Sequence, residues 1–119
     1  MPPFWGLGYF QSSSAYDTQN DYEVMIDKYL EAEFPLEGVF VDKEYMERYL
    51  NFEVDLKKFS DLKSFKGKLK EANLKAIYVL GAGIGVENNP KWYSPEIEKY
   101  GFFIQSSNHR DKFNGNLIG

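Results

Sequence analysis

The chain has 119 residues, 43% of them hydrophobic and 18% aromatic, with 18 acidic against 14 basic side chains and a formal charge of −4. That is material for a single domain over 1–119 and too apolar a composition for a disordered segment. The acidic balance offers no basic field to a phosphate backbone. Lack of cysteine removes disulfides and thiolate metal sites, one histidine argues against structural zinc, and no run approaches the ~20 apolar residues of a membrane span, so neither nucleic acid nor membrane is an expected partner. The opening MPPFWGLGYF lacks the charged start of a signal peptide, and nothing in the composition gives a compartment.

In chain order, FWGLGYF reads as a short buried strand, Trp5 to Tyr9, broken by glycines that admit another backbone. The polar loop QSSSAYDTQN follows. From Asp21 to Glu33 the apolar Tyr22, Met25, Ile26, Tyr29 and Leu30 recur at spacings of three and four, which predicts an amphipathic helix capped by Asn20 or Asp21. Pro35 stops it, and Val39 to Val41 predicts a second buried strand with Asp42 at its carboxyl end. A helix over Asp61 to Ala72, capped by Ser60, buries Leu62, Phe65, Leu69 and Ala72 and turns its lysines to solvent. Ala76 to Leu80 is the third strand, entering the glycine loop GAGIG. Beyond it, SPEIEKYG suggests a helical turn, FFIQ a fourth strand and FNGNLIG a tight turn before an edge strand. The order is β-α-β-α-β. Alternation with near-continuous apolar strands predicts an α/β fold, a parallel sheet covered by helices on right-handed crossovers.

Ligands of such folds bind at the carboxyl ends of the strands, where QSSSAY, DKEYM and GAGIG lie. GAGIG lacks the full G-x-G-x-x-G spacing and no helical pattern follows it, so a plain strand-to-loop turn is preferred over a phosphate cradle. The serines of QSSSAY have no positioned base beyond His109, itself read as a solvated loop residue, and an ordinary polar loop is the better reading. Asp42 and Glu44 are the stronger constellation. On an extended strand they share a face, and paired carboxylates can serve glycoside hydrolysis or hold sugar hydroxyls. On spacing alone the plainer reading is preferred, in which Asp42 caps the KEYMERY turn and Glu44 faces water, since acids near a helix start are routine.

Whole segments then carry a resemblance. MPPFWGLGYFQ resembles the PPYWGLGFHQ opening of the catalytic barrel in glycoside hydrolase family 31, the α-glucosidase family. FPLEGVFVDKEYMERYLNFEVD is similar to that family's IPLDVIWLDIDYMDGYRDFTWD, AIYVLGAGIGVE to its YVLILDPGIGVN, and GFFIQSSNHRDKFNGNLIG to the stretch that runs into its WPG element. The resemblance covers essentially the whole chain in order and implies the first strands of a partial (β/α)8 barrel. By position, Asp42 matches the aspartate that holds sugar hydroxyls before the scissile bond, and Ile84 an apolar wall residue there. The chain departs from the pattern at Ser12 to Tyr16, where the family has C-R-W/Y-G-Y, at Glu44 in D-x-D and at Gly81 in D-P-G-I. Those departures imply weak binding of α-linked glucosides. The resemblance places the nucleophile and the acid/base on later strands, so no catalytic residue is assigned within 1–119 and no cofactor is implied.

Two readings follow: part of an α-glucosidase-like enzyme, or a non-catalytic homologue that docks as a structural subunit in a larger assembly. A few strands of a barrel leave unpaired edges near Trp5 to Tyr9 and Phe102 to Ile104, and an inner face carrying Phe4, Phe40 and Tyr78 without its opposite strands. A protein partner covering that edge is therefore expected.

Overall fold

The computed structural model describes residues 1–85, 92–93 and 99–104. Its sheet has three parallel strands in sequence order: β1 (Phe10–Gln11), β2 (Gly38–Val41) and β3 (Lys75–Tyr78). Helices α1 (Gln19–Glu31) and α2 (Leu62–Glu71) connect them. This is the predicted α/β order, a partial barrel of parallel strands and covering helices. In register, Phe10 and Lys75 flank Gly38, and Val39, Phe40 and Val41 pair with Ala76, Ile77 and Tyr78.

Periodicity explains the helical layer. Tyr22, Met25 and Ile26 of α1 and Phe65 and Leu69 of α2 are buried, and they meet Val39 and Val41 of β2 in one core that also holds Tyr45, Met46, Phe59 and Leu74. Leu30, expected in this stripe, is instead 45% exposed because α1 is ending there. Both helices close in the same way. Ala32 and Ala72 are C-caps, Glu33 and Asn73 adopt left-handed φ of 52° and 56°, and Phe34 and Leu74 donate back to the carbonyls of Tyr29 and Leu69. In each case the residue after the left-handed position packs on the helix it has just left, which turns the chain into the next strand.

Several expected boundaries shift. Thr18, rather than Asn20 or Asp21, caps α1: its hydroxyl accepts from the Asp21 N–H while the Asp21 carboxylate accepts from the Thr18 N–H at 2.8 Å. The Thr18 hydroxyl, donating to that carboxylate, is the leading reason the Asp21 carboxyl titrates below its usual range. Asp61, rather than Ser60, caps α2 by accepting from the Ser64 N–H at 2.9 Å. The largest shift is in β1. Phe4–Leu7 forms a 3-10 turn after Pro3, whose carbonyl takes the Gly6 N–H, and pairing starts only where the Tyr9 carbonyl accepts from the Glu37 N–H. Phe102 to Ile104 contains no strand, while Gln105, His109, most of SPEIEKYG and the FNGNLIG segment lie outside the described residues.

The sheet's two faces differ. Val39, Val41, Ala76 and Tyr78 face the helices, and Gln11 reaches Tyr29 and Tyr16 on the same side. Tyr78 thus belongs to the helical side rather than the inner face, its ring lying 5.2 Å from that of Tyr45. Phe4 sits on the exposed 3-10 turn at 87% exposure. Phe10, Gly38, Phe40 and Ile77 form the other face, where the Phe10 and Phe40 rings are 5.6 Å apart. Among the described residues no helix is long and apolar enough to cross a membrane, and no cluster of three metal-ligating side chains occurs.

Candidate functional site

Two loops meet at the carboxyl ends of β2 and β3. The β2 loop starts at Asp42, whose backbone N–H donates to the Tyr22 hydroxyl at 3.1 Å and whose Oδ1 accepts from the Lys43 N–H at 2.8 Å. Asp42 therefore caps the 3-10 turn Lys43–Tyr45 while keeping a partly exposed side chain. This turn replaces the extended geometry that would set Asp42 and Glu44 on one face. Nor does Glu44 simply face water, since one of its carboxylate oxygens is buried with no hydrogen-bond partner among the described residues.

Beyond the turn the chain doubles back on itself. The Glu47 N–H donates to the Glu53 carbonyl and the Asp55 N–H to the Tyr45 carbonyl, around an antiparallel bridge between Met46 and Val54. At its tip Arg48, Tyr49 and Phe52 all hold left-handed φ, at 51°, 58° and 70°. For residues with a Cβ each such angle costs roughly 1–2 kcal/mol, so surrounding contacts must enforce them. Burial pushes the Tyr22 hydroxyl up to about 12, with the nearby Asp42 and Glu44 charges adding to the rise and the Asp42 N–H opposing it.

The β3 loop is held by residues of the β2 loop. After the last sheet bond, from the Val79 N–H to the Val41 carbonyl, the Tyr45 hydroxyl donates to the Val79 carbonyl at 3.1 Å. Asn51, the one buried polar residue among those described, then takes Gly81: its Oδ1 accepts from the Gly81 N–H at 2.9 Å and its Nδ2 donates to the Gly81 carbonyl at 2.8 Å. The same amide nitrogen reaches the Gly83 carbonyl at 2.5 Å. Leu50 packs so closely on Gly85 that a Cβ there would lie 2.5 Å from its Cδ2.

Asp42 and Ile84 thus stand on two loops tied to each other, both partly buried. The Gly81 N–H already serves Asn51, which agrees with reading GAGIG as a strand-to-loop turn. Ser13 likewise spends its oxygens on the local turn, accepting from the Ala15 and Tyr16 N–H groups, as an ordinary polar loop does. Sequence reasoning missed Asn51 and the Tyr22 hydroxyl. The one local signal was an amide between the apolar Leu50 and Phe52.

Comparison with known proteins identifies the fold. The family description "Glycosyl hydrolases family 31 TIM-barrel domain" matches residues 1–117. Alpha-glucosidase 2 of Bacillus thermoamyloliquefaciens is 30% identical over 84 residues, covering 71% of this chain and 11% of the relative. The alpha-glucosidase of Saccharolobus solfataricus is 31% identical over 105 residues, covering 88% of this chain and 15% of its own length. Among solved structures, the glucosidase II alpha subunit in its alpha3-Glc2-bound form superposes with a TM-score of 0.73 at 23% identity, over 85% of this chain and 10% of that one. The chain therefore spans a small part of the length of the proteins it matches. By the extent of the family match and the fold that accompanies it, the chain belongs to the glycosyl hydrolases of family 31.

Proposed function

We propose that residues 1–119 act as one unit of a family 31 barrel and carry one wall of its sugar site, with Asp42 holding sugar hydroxyls and Ile84 supplying an apolar wall. The observation that carries this reading is the place of both residues on interlocked loops at the strands' carboxyl ends, where α/β barrels bind their ligands. The ligand class is an α-linked glucoside. Its binding is weak because Ser12 to Ala15 offers neither the arginine nor the stacking ring of the family pattern. Retaining hydrolysis needs two carboxyl groups ~5 Å apart across the scissile bond, and the chain supplies neither the nucleophile nor the acid. Purified chain should shift its Asp42 and Ile84 resonances on titration with maltose, lose that response in Asp42→Asn, and release no glucose. Steady glucose release abolished by Asp42→Asn would overturn the non-catalytic part, and an unresponsive wild type the sugar site.

A second reading, a non-catalytic subunit docked in an assembly through its open sheet, draws on a separate observation. The inner-face Phe10, Phe40 and Ile77 of the sheet are only partly covered. A protein partner that covers this face would bury them. Light scattering after size exclusion tests it: a monomer near 14 kDa that retains no partner in a pull-down would exclude the docking role.

A further inference from the structure

We infer that Asn51 is a positioning residue for the apolar wall of the sugar site, setting where Ile84 stands by acting as a one-residue substitute strand beside Gly81; this rests on the sugar-site reading of Ile84 given above. The β2–β3 ladder ends at Val79, and past that point no described strand pairs with the chain to direct it. Asn51 supplies what a strand would. Its side-chain amide meets the Gly81 N–H and carbonyl together, the two bonds a neighbouring backbone makes in a sheet, and its second N–H takes the Gly83 carbonyl. The amide's two donors are then both in use, which fixes the orientation of the side chain as well as that of the loop.

Three features place the function in this residue rather than in loop packing at large. Asn51 is 5% exposed, so water does not compete for its bonds. The flanking Arg48, Tyr49 and Phe52 hold left-handed backbone angles that bring the amide to the loop, and such angles persist only where contacts enforce them. Ile84 follows one residue after the last carbonyl that Asn51 holds, with Gly85 seated on Leu50 just beyond. The wall position is thereby referred to the same loop that begins with Asp42, so hydroxyl binding and apolar contact share one frame.

Replacing Asn51 should therefore move Ile84 and leave Asp42 in place. Asn51→Asp preserves shape and the acceptor for the Gly81 N–H but loses both donors; Asn51→Leu loses all three bonds. Maltose affinity, read by NMR titration of the chain, should fall about fivefold in either variant, the size of effect expected from losing one partly buried apolar contact. Ile84→Ala should cost a similar factor. Because Asn51 acts through Ile84, the double variant Asn51→Asp, Ile84→Ala should bind no more weakly than Ile84→Ala alone, which a merely stabilising residue would not produce. Amide exchange at Gly81, whose N–H donates to Asn51, should quicken while that at Asp42 holds. Wild-type affinity in Asn51→Asp, or losses that multiply in the double variant, would overturn the inference. Should Asn51→Leu fail to fold, Asn51→Asp still decides. A wild type blind to maltose removes the sugar site itself, and with it the role of Asn51, whereas unchanged exchange at Gly81 in a maltose-binding protein removes Asn51 alone.

Discussion

The two faces of the sheet are made from neighbouring residues of the same strands, yet they live in different environments. On the helical side Val39 and Val41 are fully buried among Tyr22, Ile26, Phe59 and Phe65, each of which is also fully buried. On the other side Phe10 meets the rings of Phe40 and Trp5, Ile77 pairs beside Phe40, and Phe10, Phe40 and Ile77 remain partly exposed. Apolar character is similar on both. What differs is the second layer: α1 and α2 complete one core, while the inner face of a barrel is completed only by strands from across the barrel. Strand composition alone therefore gives burial potential, and the covering layer decides how much of it is realised.

Truncating matched rings on the two faces is the strongest way to break this contrast. Phe65→Ala should cost about 3–5 kcal/mol in denaturant unfolding and Phe40→Ala about 1 kcal/mol, since the removal of a fully buried ring leaves a cavity and the removal of a wet one does not. Equal losses would mean that the inner face is packed as tightly as the outer. Gly38 sharpens the picture because it is the tight spot on the loose face. A Cβ there would lie 2.3 Å from the Lys75 carbonyl oxygen and 2.7 Å from the Phe10 ring, so Gly38→Ala should cost about 2–3 kcal/mol through displaced backbone. Removal of the α2 cap by Asp61→Ala should cost about 1 kcal/mol, weakening the layer that makes the outer face dry. The smallest effect at neutral pH is the titration of Tyr22. Burial raises its hydroxyl from an ordinary 10 to about 12, so the folded chain keeps a proton that the unfolded chain releases. Its contribution is complete below pH 10 and is lost as pH rises from 10 towards 12. Alkaline melting curves should show that decline, and Tyr22→Phe should reduce it, leaving the part due to Tyr29, Tyr45 and Tyr78, whose hydroxyls are also raised.

Helices and buried strands were legible because their signals are periodic or continuous. The stripe of Tyr22, Met25 and Ile26, the stripe of Phe65 and Leu69, and the run from Val39 to Val41 all fall where spacing places them. Beginnings and ends were less so. Thr18 rather than Asn20 caps α1 because a reciprocal pair with Asp21 satisfies two backbone donors at once, and several adjacent residues could have done so. The first strand moved from Trp5–Tyr9 to Phe10–Gln11 because prolines and glycines curl the entry, and its partner in the sheet is Gly38, a residue far along the chain. Asp42 was legible from its strand end and from the family resemblance. The hold of Asn51 on Gly81 was not, since it joins positions thirty apart through an amide that carries no pattern of its own.

The brevity of β1 has a consequence for how the molecule comes apart. Its two residues pair with β2 over Phe10 and Gln11, while β2 and β3 are joined along four. A short ladder at an edge opens with little loss of buried area, and local opening of this kind precedes global unfolding. The β2–β3 ladder should thus outlast the β1–β2 pairing, and β1 is where the described sheet opens first. Both interlocked loops leave from β2 and β3, so the site's architecture would outlast the detachment of the strand beside it.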